Sequence, residues 1–506
     1  MFEPAGPNAS WSMMTLRFAP PSAPNEMPRL EASTMARSTC KNGRRDFMRT
    51  LYRERAFLGT ALHAPVRGQL EVLRDALIVV GGDGAIKAIH RQGSFEVSSE
   101  AARFAAAGDL VTLGPAQYLL PGFVDLHIHA PQWPQLGKAL DLPLEDWLQV
   151  YTFPLEARYA DVEFARAVYG SLVDGLLANG TTTAVYFGTI HLPATRVLAD
   201  TCLQRYQRAL IGRVAMDDIQ QCPAYYRDVS ASQAVAETRE FIEYVRSMPG
   251  NASSLIQPVI TPRFIPSCSD ELLTNLGALA RETGCHVQTH CSESDWEHQY
   301  VLQRCGKSDT SALDGFGLLS RHTILAHGNF VGDADIALIR ARGAAIAHCP
   351  LSNVYFSDAV FPLRRILQQG VNVGLGSDIA GGASPSILDN ARHAVIASRA
   401  LEAGVDSALD RSLRRRPESR IDALTAFWLA TAGGGIALDL PVGVFREGFQ
   451  FDAVVIDADV PDGNLRLEAD ETPEDVLQKI IYLAGRANIG EVWVANNRVH
   501  QRAPRS

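Results

Sequence analysis

The amino-acid sequence predicts an α/β protein, with a (β/α)8 TIM-like barrel and a small composite β-sandwich domain built from both chain ends. First, short apolar strand-like segments alternate with helix-like segments over residues 121–440. Second, residues 56–120 and 441–506, which flank this region, are rich in strand-like segments. Third, the length of 506 residues suits a barrel of usual size with a second domain attached.

The first 55 residues differ from the rest of the chain. We expect residues 1–55 to be a poorly ordered N-terminal extension, because prolines are frequent in the first half and a basic stretch follows. The run RRDFMR (44–49) resembles a twin-arginine export signal, which must be followed by an uncharged apolar segment. Arg53, Glu54 and Arg55 interrupt that segment, so we expect a cytoplasmic protein.

The β-domain is predicted from strand-like segments near both chain ends. In the first part, residues 56–120, the sequence ALIVVGGDGAIKAIH (76–90) has two short strands around a Gly-Asp-Gly turn and predicts a hairpin. In the second part, residues 441–506, the segments FDAVVIDADV (451–460) and GEVWVANNRVH (490–500) have strand length and apolar content. These two parts are therefore predicted to form one small domain.

The barrel is predicted over residues 121–440 from a series of short apolar strands. The strand-like segments are PGFVDLHIH, TTTAVYF, SLIQPVIT, HVQTH, HTILAH, AAIAHCP and VNVGLGSD. Helix-like stretches lie between them, such as DELLTNLGALARETG (270–284) and DADIALIRARG (333–343). In a barrel of this type, catalytic side chains lie at the C-terminal ends of the strands.

Composition limits the class of protein. The chain is 46% hydrophobic and 20% charged, as in ordinary soluble globular proteins, and its net charge of −9 argues against nucleic acid as a partner. The eight cysteines are irregularly spaced without a Cys-x-x-Cys pair, which argues against a zinc ribbon or a disulfide framework. No run of eighteen apolar residues occurs, so we expect no membrane partner.

Polar residues that can bind a metal follow several predicted strands. His127 and His129 lie at positions i and i+2 of the first strand and therefore on one face. This pair alone is weak evidence, because two histidines satisfied by hydrogen bonds would show the same pattern. His290, His327 and Asp378 close three further strands. Because these strand ends meet on one face of a barrel, the set predicts a metal site.

The residue types fit hydrolytic metal chemistry. Imidazole and carboxylate ligands suit Zn²⁺ or Fe²⁺, and such a metal lowers the pKa of a bound water towards 7. Glu293, three residues after His290, is placed to transfer protons. Binuclear sites of this layout use a carboxylated lysine on a middle strand, but the only lysine between His129 and His290 is Lys138, in a loop. We therefore expect one metal ion per subunit.

Eight segments carry a resemblance to a known family. They are PGFVDLHIHAPQ (121–132), LDLPLEDWLQVYTFPLEARY (140–159), NGTTTAVYFGTIH (179–191), TPRF (261–264), HVQTHCSES (286–294), ILAHG (324–328), AHCPLSN (347–353) and GLGSDIAGGASPSILD (374–389). From about residue 56 onward, the chain resembles the amidohydrolase superfamily and, within it, the guanine deaminases, which are mononuclear zinc purine deaminases. The His-x-His and Gly-Ser-Asp motifs are shared by the superfamily, whereas segments 140–159 and 261–264 are particular to guanine deaminases.

The resemblance implies roles for the strand-end residues. The implied zinc ligands are His127, His129, His290 and Asp378. His327 would hydrogen-bond and position the metal water, and Glu293 would be the proton shuttle. The expected catalytic residues are therefore Glu293, His327 and Asp378. Zinc is the expected cofactor, with Fe²⁺ as the alternative.

The resemblance also implies a set of substrate contacts. They are Gln132, Arg263, Phe264 through its backbone, His129, His290, Glu293 and Asp378. Guanine has acceptors at O6, N7 and N3, for which an Arg fork and a Gln amide are suitable donors. Two interpretations stay open for Asp141, Trp147 and Glu156, since residues in this segment can shape a pocket lid or simply pack.

The implied activity is hydrolytic deamination of guanine to xanthine and ammonia in purine catabolism. The small-molecule partners would be guanine and water, and the resemblance implies a homodimer. One alternative is a related aminohydrolase that acts on 8-oxoguanine, a triazine or a pterin. A second, from a different class, is a non-catalytic scaffold, but such relatives usually lose metal ligands, and all the implied ligands are present.

Overall fold

A computed structural model describes residues 53–357, 359–461 and 463–503. The predicted N-terminal extension, residues 1–55, lies outside the described residues except for its last three. The features below belong to one compact unit, Leu51–Ser506.

Strands occur at both chain ends and throughout the middle of the described chain. In chain order they are β1 (Arg55–Val66), β2 (Gln69–Val80), β3 (Ile86–His90), β4 (Leu110–Thr112), β5 (Gln117–Pro121), β6 (Phe123–His129), β7 (Thr181–Phe187), β8 (Arg208–Gly212), β9 (Val214–Ala215), β10 (Ile256–Pro262), β11 (His286–Cys291), β12 (Thr323–His327), β13 (Ala345–His348), β14 (Asn372–Leu375), β15 (Ala453–Asp457), β16 (Ile489–Val494) and β17 (Asn497–Gln501).

Helices occupy most of the connections. The α-helices span Phe95–Ala107, Leu144–Trp147, Phe153–Ala157, Val162–Leu177, Leu192–Gln204, Ala231–Ser247, Asp270–Thr283, Asp295–Cys305, Asp309–Gly315, Asp333–Arg342, Pro350–Phe356, Leu363–Gln368, Ile387–Ala403, Arg411–Arg414, Ala423–Trp428, Gly434–Leu438 and Pro473–Leu483. Among the described helices, none combines the length and apolar character needed to cross a membrane.

Eight parallel strands form the predicted barrel. They are neighbours in the order β6, β7, β8, β10, β11, β12, β13 and β14, and β9 pairs beside β10. After β14 the backbone returns to β6, because the Asp378 amide donates to the His127 carbonyl (2.8 Å) and the His129 amide donates to the Ile379 carbonyl (3.0 Å). These bonds nearly close the barrel, and the predicted fold class is confirmed. β8, with the sequence RALIG, is not among the strand-like segments identified in the sequence.

Both helix-like stretches for which the sequence analysis gives residue bounds form helices within one residue of those bounds. Helix Asp270–Thr283 starts after Ser269, whose hydroxyl accepts a hydrogen bond from the Leu272 amide. It ends at Gly284, which adopts the left-handed conformation (φ 66°) that terminates helices. Its apolar face is buried through Leu272, Leu273, Leu276 and Leu279. Such faces cover the strands from outside and leave the C-terminal strand ends free to carry polar groups.

Strands from both chain ends combine in one eight-stranded sheet. Its order is β17, β16, β15, β5, β1, β2 and β3, with β4 beside β1. The link between the two ends is the antiparallel pair of β5 and β15, in which Pro121 lies opposite Ala453. This confirms a composite β-domain, whose strands are joined in a single hydrogen-bonded sheet. The predicted hairpin is also present as the antiparallel pair β2–β3.

One helix lies in a region for which the sequence predicts mainly strands. Helix Phe95–Ala107 buries Phe104 and is closed by Gly108 at φ 72°. Its sequence FEVSSEAARFAAA is rich in alanine, a strong helix former, and the following glycine supplies the terminating conformation. The helix packs against the sheet near β1, so it does not alter the composite domain.

Candidate active site

The predicted metal and catalytic residues converge at the C-terminal face of the barrel. His127 and His129 lie near the end of β6, His290 near the end of β11, and His327 at the last position of β12. Asp378 follows β14 by three residues. All five side chains are buried. Strands far apart in sequence therefore present their polar ends to one point.

Ligand atoms in this cluster are close enough to share one metal ion. One atom from each of His127, His290, His327 and Asp378 lies within 4.8 Å of the others. His129 is also adjacent, since its Nε2 lies 3.5 Å from Asp378 Oδ1 and 3.0 Å from His290 Nε2. The structure thus brings together the four expected ligands, and it places His327 within the same set of donors.

Unpaired buried nitrogens show that the cluster fits a cation. The Nε2 atoms of His127 and His327 are buried without a hydrogen-bond partner among the described residues. His127 Nε2 lies 3.0 Å from Asp378 Oδ1, but outside hydrogen-bond geometry. Buried polar atoms normally have a partner, so two unpartnered ring nitrogens that face one carboxylate are the pattern expected of a metal centre.

Hydrogen bonds behind the cluster fix two histidine tautomers. His290 Nδ1 lies 2.6 Å from the Arg263 carbonyl oxygen, and His327 Nδ1 lies 2.9 Å from Asn353 Oδ1. Because both partners are oxygen acceptors, each Nδ1 carries the hydrogen and donates it. The lone pair then remains on Nε2, which faces the centre, as is usual for metal-binding histidines.

Electrostatics favours ligand-competent protonation states. Burial lowers the pKa of His129 and His290 well below the usual value, and neighbouring imidazoles lower it further. Burial alone would raise the pKa of Asp378, but the surrounding imidazoles outweigh it and hold the pKa below its ordinary range. Neutral imidazoles and an ionised carboxylate are the forms that bind a metal.

The surroundings of Glu293 raise the pKa of its carboxyl group, in contrast to those of Asp378. The Glu293 side chain is buried, and Oε1 lies 3.5 Å from His327 Nε2. Burial, with the nearby charge of Asp378, raises the pKa of Glu293 well above the usual value. A carboxyl group that holds a proton next to an ionised carboxylate is suited to proton transfer.

Three residues at the site have strained backbone conformations. Ser292, His327 and Asp378 have positive φ angles of 53°, 72° and 47°. Such conformations are unfavourable for residues with a side chain and are found at functional sites. Asp125 helps to hold the geometry, because its carboxylate accepts bonds from the Ser377 amide (2.9 Å), the Ser377 hydroxyl (2.5 Å) and the His127 amide (3.2 Å).

The role of Asp125 was not identified from the sequence. Its position two residues before His127 on the same strand face was the available signal. Burial raises the pKa of Asp125 to about 6, against the effect of its hydrogen bonds.

A pocket opens directly onto the cluster. Its lining comprises His129, Gln132, Leu144, Trp147, Leu148, Arg263, Phe264, His290, Glu293, Phe356, Asp378 and Gly381. All seven residues expected to contact substrate are in this lining, including Phe264. Polar or charged residues form half of this lining, and apolar or aromatic residues form most of the other half, a combination that suits a flat ring compound with polar edges.

Segment 140–159, which follows β6, covers this cavity. Trp147 is buried, donates its Nε1–H to the Lys138 carbonyl (3.1 Å), and packs against Phe356 with ring centroids 5.2 Å apart. Glu156 is fully buried behind the pocket wall, whereas Asp141 is exposed. The sequence leaves a lid role and a packing role open for these residues. Trp147 fits the lid role, and Asp141 belongs to neither the pocket nor the core.

Comparison with known proteins agrees with this site. The amidohydrolase family model matches residues 118–499. Guanine deaminase of Dictyostelium discoideum is 35% identical over 457 residues, which cover 88% of this chain and 97% of the relative. The crystal structure of guanine deaminase from C. acetobutylicum with bound guanine is 30% identical, with a TM-score of 0.78, and the match covers 88% of this chain and all of that chain. An adenosine deaminase from Xanthomonas campestris with bound zinc is 26% identical, with a TM-score of 0.72, over 88% of this chain and 92% of that chain.

Proposed function

The chain belongs to the amidohydrolase family, and we propose from that premise that it hydrolyses guanine to xanthine and ammonia. The observation that carries this proposal is the common pocket. Gln132, Arg263 and Glu293 line it together with His290 and Asp378 of the metal-capable cluster. A guanine deaminase of the same fold holds guanine in its active site.

The pocket has the donors and the shape for a purine ring. Gln132 and Arg263 are proposed to donate to the acceptor atoms of guanine, with Phe264 as a further contact. Phe264 and Trp147 supply flat apolar surface on which such a ring can lie.

The cofactor is proposed to be one zinc ion held by His127, His129, His290 and Asp378, with Fe²⁺ as the alternative. When bound, zinc would lower the pKa of a water ligand and supply hydroxide near neutral pH. The proposed binding residues are neutral imidazoles and an ionised carboxylate, which support this cofactor.

The protein's own residues are proposed to move the protons. As the water oxygen bonds to C2 of guanine, Asp378 takes a proton from the water. His327 hydrogen-bonds the water oxygen and holds it in position to attack C2. Glu293, which holds a proton because burial raises its pKa, donates that proton to N3. Asp378 then returns its proton to the amino group of the tetrahedral intermediate, and the C2–N bond breaks to release ammonia. The proton of the new C2 hydroxyl passes to Glu293 as the carbonyl forms, which leaves xanthine and restores both carboxyl groups.

Other expectations of the family resemblance remain proposals. The domain limits are proposed as 56–120 and 441–506 for the β-domain and 121–440 for the barrel. A homodimer and a cytoplasmic location are also proposed. Light scattering after gel filtration, and fractionation of the source cells, would test these two points.

An ammonia-release assay tests the proposed reaction. Wild type is compared on guanine, 8-oxoguanine, a triazine and a pterin, and guanine is expected to give the highest kcat/KM. Glu293→Gln should lower kcat by about 10²-fold or more with its zinc retained, because the side chain can no longer transfer a proton. Glu271→Gln, an exposed control on a barrel helix, should behave as wild type. Ammonia from another substrate but none from guanine would contradict the proposal.

A further inference from the structure

We propose that Glu156 is a positioning residue that sets both Gln132 and Arg263 for recognition of the substrate ring. This inference deepens the proposed function and rests on it. Glu156 does not line the cavity but lies directly behind two residues that do. It belongs to helix Phe153–Ala157 in the segment that covers the pocket.

One carboxylate binds both recognition side chains. Arg263 Nη1 donates to Glu156 Oε2 at 2.6 Å, and Arg263 Nη2 donates to Glu156 Oε1 at 3.2 Å. Gln132 Nε2 donates to the same Oε1 at 2.9 Å. The three side chains are almost fully buried, with 0%, 2% and 2% exposure for Glu156, Arg263 and Gln132. A bidentate pair of this kind fixes direction as well as distance.

The contact determines which way the Gln132 amide points. Its Nε2 faces Glu156, which only accepts, and its Oε1 accepts from the Ala380 amide at 3.0 Å. A flipped amide would place its oxygen against the carboxylate and its nitrogen against another donor, so the observed orientation is enforced. One Nε2 hydrogen then remains for a substrate acceptor.

Arg263 is held on one edge and left available on the others. A guanidinium has five N–H donors, and Glu156 takes two of them. No other acceptor in the described parts of the chain takes a hydrogen bond from the remaining three. The guanidinium also lies over the Phe153 ring, 5.1 Å from its centroid. Phe153 and Glu156 therefore fix the plane of Arg263 while part of its donor fork faces the pocket.

Glu156 also sets the charge of the recognition wall. Arg263 is a buried cation, which needs a nearby anion. Burial lowers the pKa of Arg263, but the Glu156 carboxylate outweighs this effect and raises it. Because the pair is neutral overall, the wall offers directed donors without a free positive charge. This combination selects an uncharged planar ring over an anionic substrate.

Steady-state kinetics of Glu156→Gln tests the inference. The new amide cannot accept from all three donors and presents its own N–H to them, so Gln132 and Arg263 should lose their alignment. Since these contacts hold the ring in both the bound and the transition state, KM for guanine should rise by about tenfold or more, with a smaller change in kcat. Zinc content should equal that of wild type. Glu163→Gln, an exposed residue in the next helix, is the control and should leave KM unchanged.

Two further variants keep the test decisive. Glu156→Asp retains the charge but is one methylene shorter, so its KM should lie between wild type and Glu156→Gln and can be measured if the Gln variant does not fold. In an Arg263→Met background, Glu156→Gln should raise KM less than it does in the wild-type background, because only the Gln132 contact remains for Glu156 to act through.

The outcomes separate this inference from the proposed function. Two results would overturn the positioning role alone, provided that wild type is active. One is an unchanged KM in both Glu156 variants. The other is a loss confined to kcat and proportional to the loss of folded protein. A wild type that releases no ammonia from guanine would overturn the proposed function itself.

Discussion

The Nε2 atoms of His129 and His290 lie 3.0 Å apart, although the residues belong to strands β6 and β11. His290 Nδ1 donates to the Arg263 carbonyl, so its Nε2 carries a lone pair and faces His129. Burial keeps the pKa of both rings well below the usual value, which disfavours a proton shared as a positive charge. A metal ion bound by both Nε2 atoms would give the His290 lone pair a partner, so metal content tests the assignment of this site.

The purified protein is expected to hold about one zinc ion per chain, as a single cluster of this kind predicts. His129→Ala should reduce zinc affinity by about tenfold or more, since it removes a donor next to His290 and Asp378. Removal of the metal with a chelator should abolish ammonia release and lower the thermal midpoint, because bound metal stabilises the folded state. Elemental analysis checks the metal content, and His393→Gln, on an outer helix, serves as control. Full activity with almost no bound metal would refute the metal assignment.

The lid residue Trp147 is expected to affect substrate affinity. Trp147→Ala removes a buried aromatic wall that packs against Phe356 and lines the cavity. We expect kcat/KM for guanine to fall by about tenfold or more, because water enters and the ring loses its apolar contact. Val150→Ala is the matched control, since Val150 lies in the same segment but is 61% exposed. Equal kinetics for the two variants would exclude a lid role for Trp147.

The metal cluster could be predicted from sequence because the rule that locates it is local. Each strand of a parallel barrel ends on the same face, so a histidine or aspartate at a strand end is placed near the others without knowledge of tertiary contacts. This rule was sufficient to select His127, His129, His290, His327 and Asp378. It could not decide how close His327 lies to the centre, because that depends on its backbone, which turns at φ 72°.

Glu156 illustrates what the sequence could not provide. Its partner Arg263 is 107 residues away, and the contact depends on how segment 140–159 folds back over the barrel. No periodic pattern marks such a contact, and a buried carboxylate has no sequence signature of its own. Helix Phe95–Ala107 is a different case, because its alanines and the following Gly108 were a usable signal outweighed by the strand-like segments around it.

His63 is expected to make stability depend on pH in the β-domain. It is 2% exposed, its Nδ1 accepts from the Phe445 amide (3.2 Å), and burial lowers its pKa to about 4 in spite of the nearby Glu71. In the unfolded chain His63 is therefore protonated as pH falls below about 6.5, whereas in the folded chain it is protonated only near pH 4. The stability from neutral His63 is complete above about pH 6.5 and decreases as pH falls to about 4, by about 2–3 kcal/mol.

Urea or thermal unfolding at several pH values checks this dependence. His63→Asn keeps an acceptor for the Phe445 amide but cannot titrate, so its stability should fall less than that of wild type between pH 6.5 and 4. His322→Asn, whose side chain is 43% exposed, is the control and should retain the wild-type slope. Identical slopes for wild type and His63→Asn would show that His63 does not carry the effect.

Two glycine substitutions should change stability in opposite directions. Gly212 lies in β8, and a Cβ there would meet Thr261 Oγ1 at 1.8 Å and the Val259 carbonyl oxygen at 2.6 Å. Gly212→Ala would force β8 and β10 apart inside the barrel, and we expect a loss of about 1–3 kcal/mol in the free energy of unfolding. Gly170, in helix Val162–Leu177, has open space where a Cβ would lie, with no atom within 4 Å, so Gly170→Ala should instead stabilise the protein by about 0.5–1 kcal/mol. Thermal midpoints measured at one scan rate distinguish the two, and a Gly212→Ala midpoint at or above that of wild type would show that the strands can separate without cost.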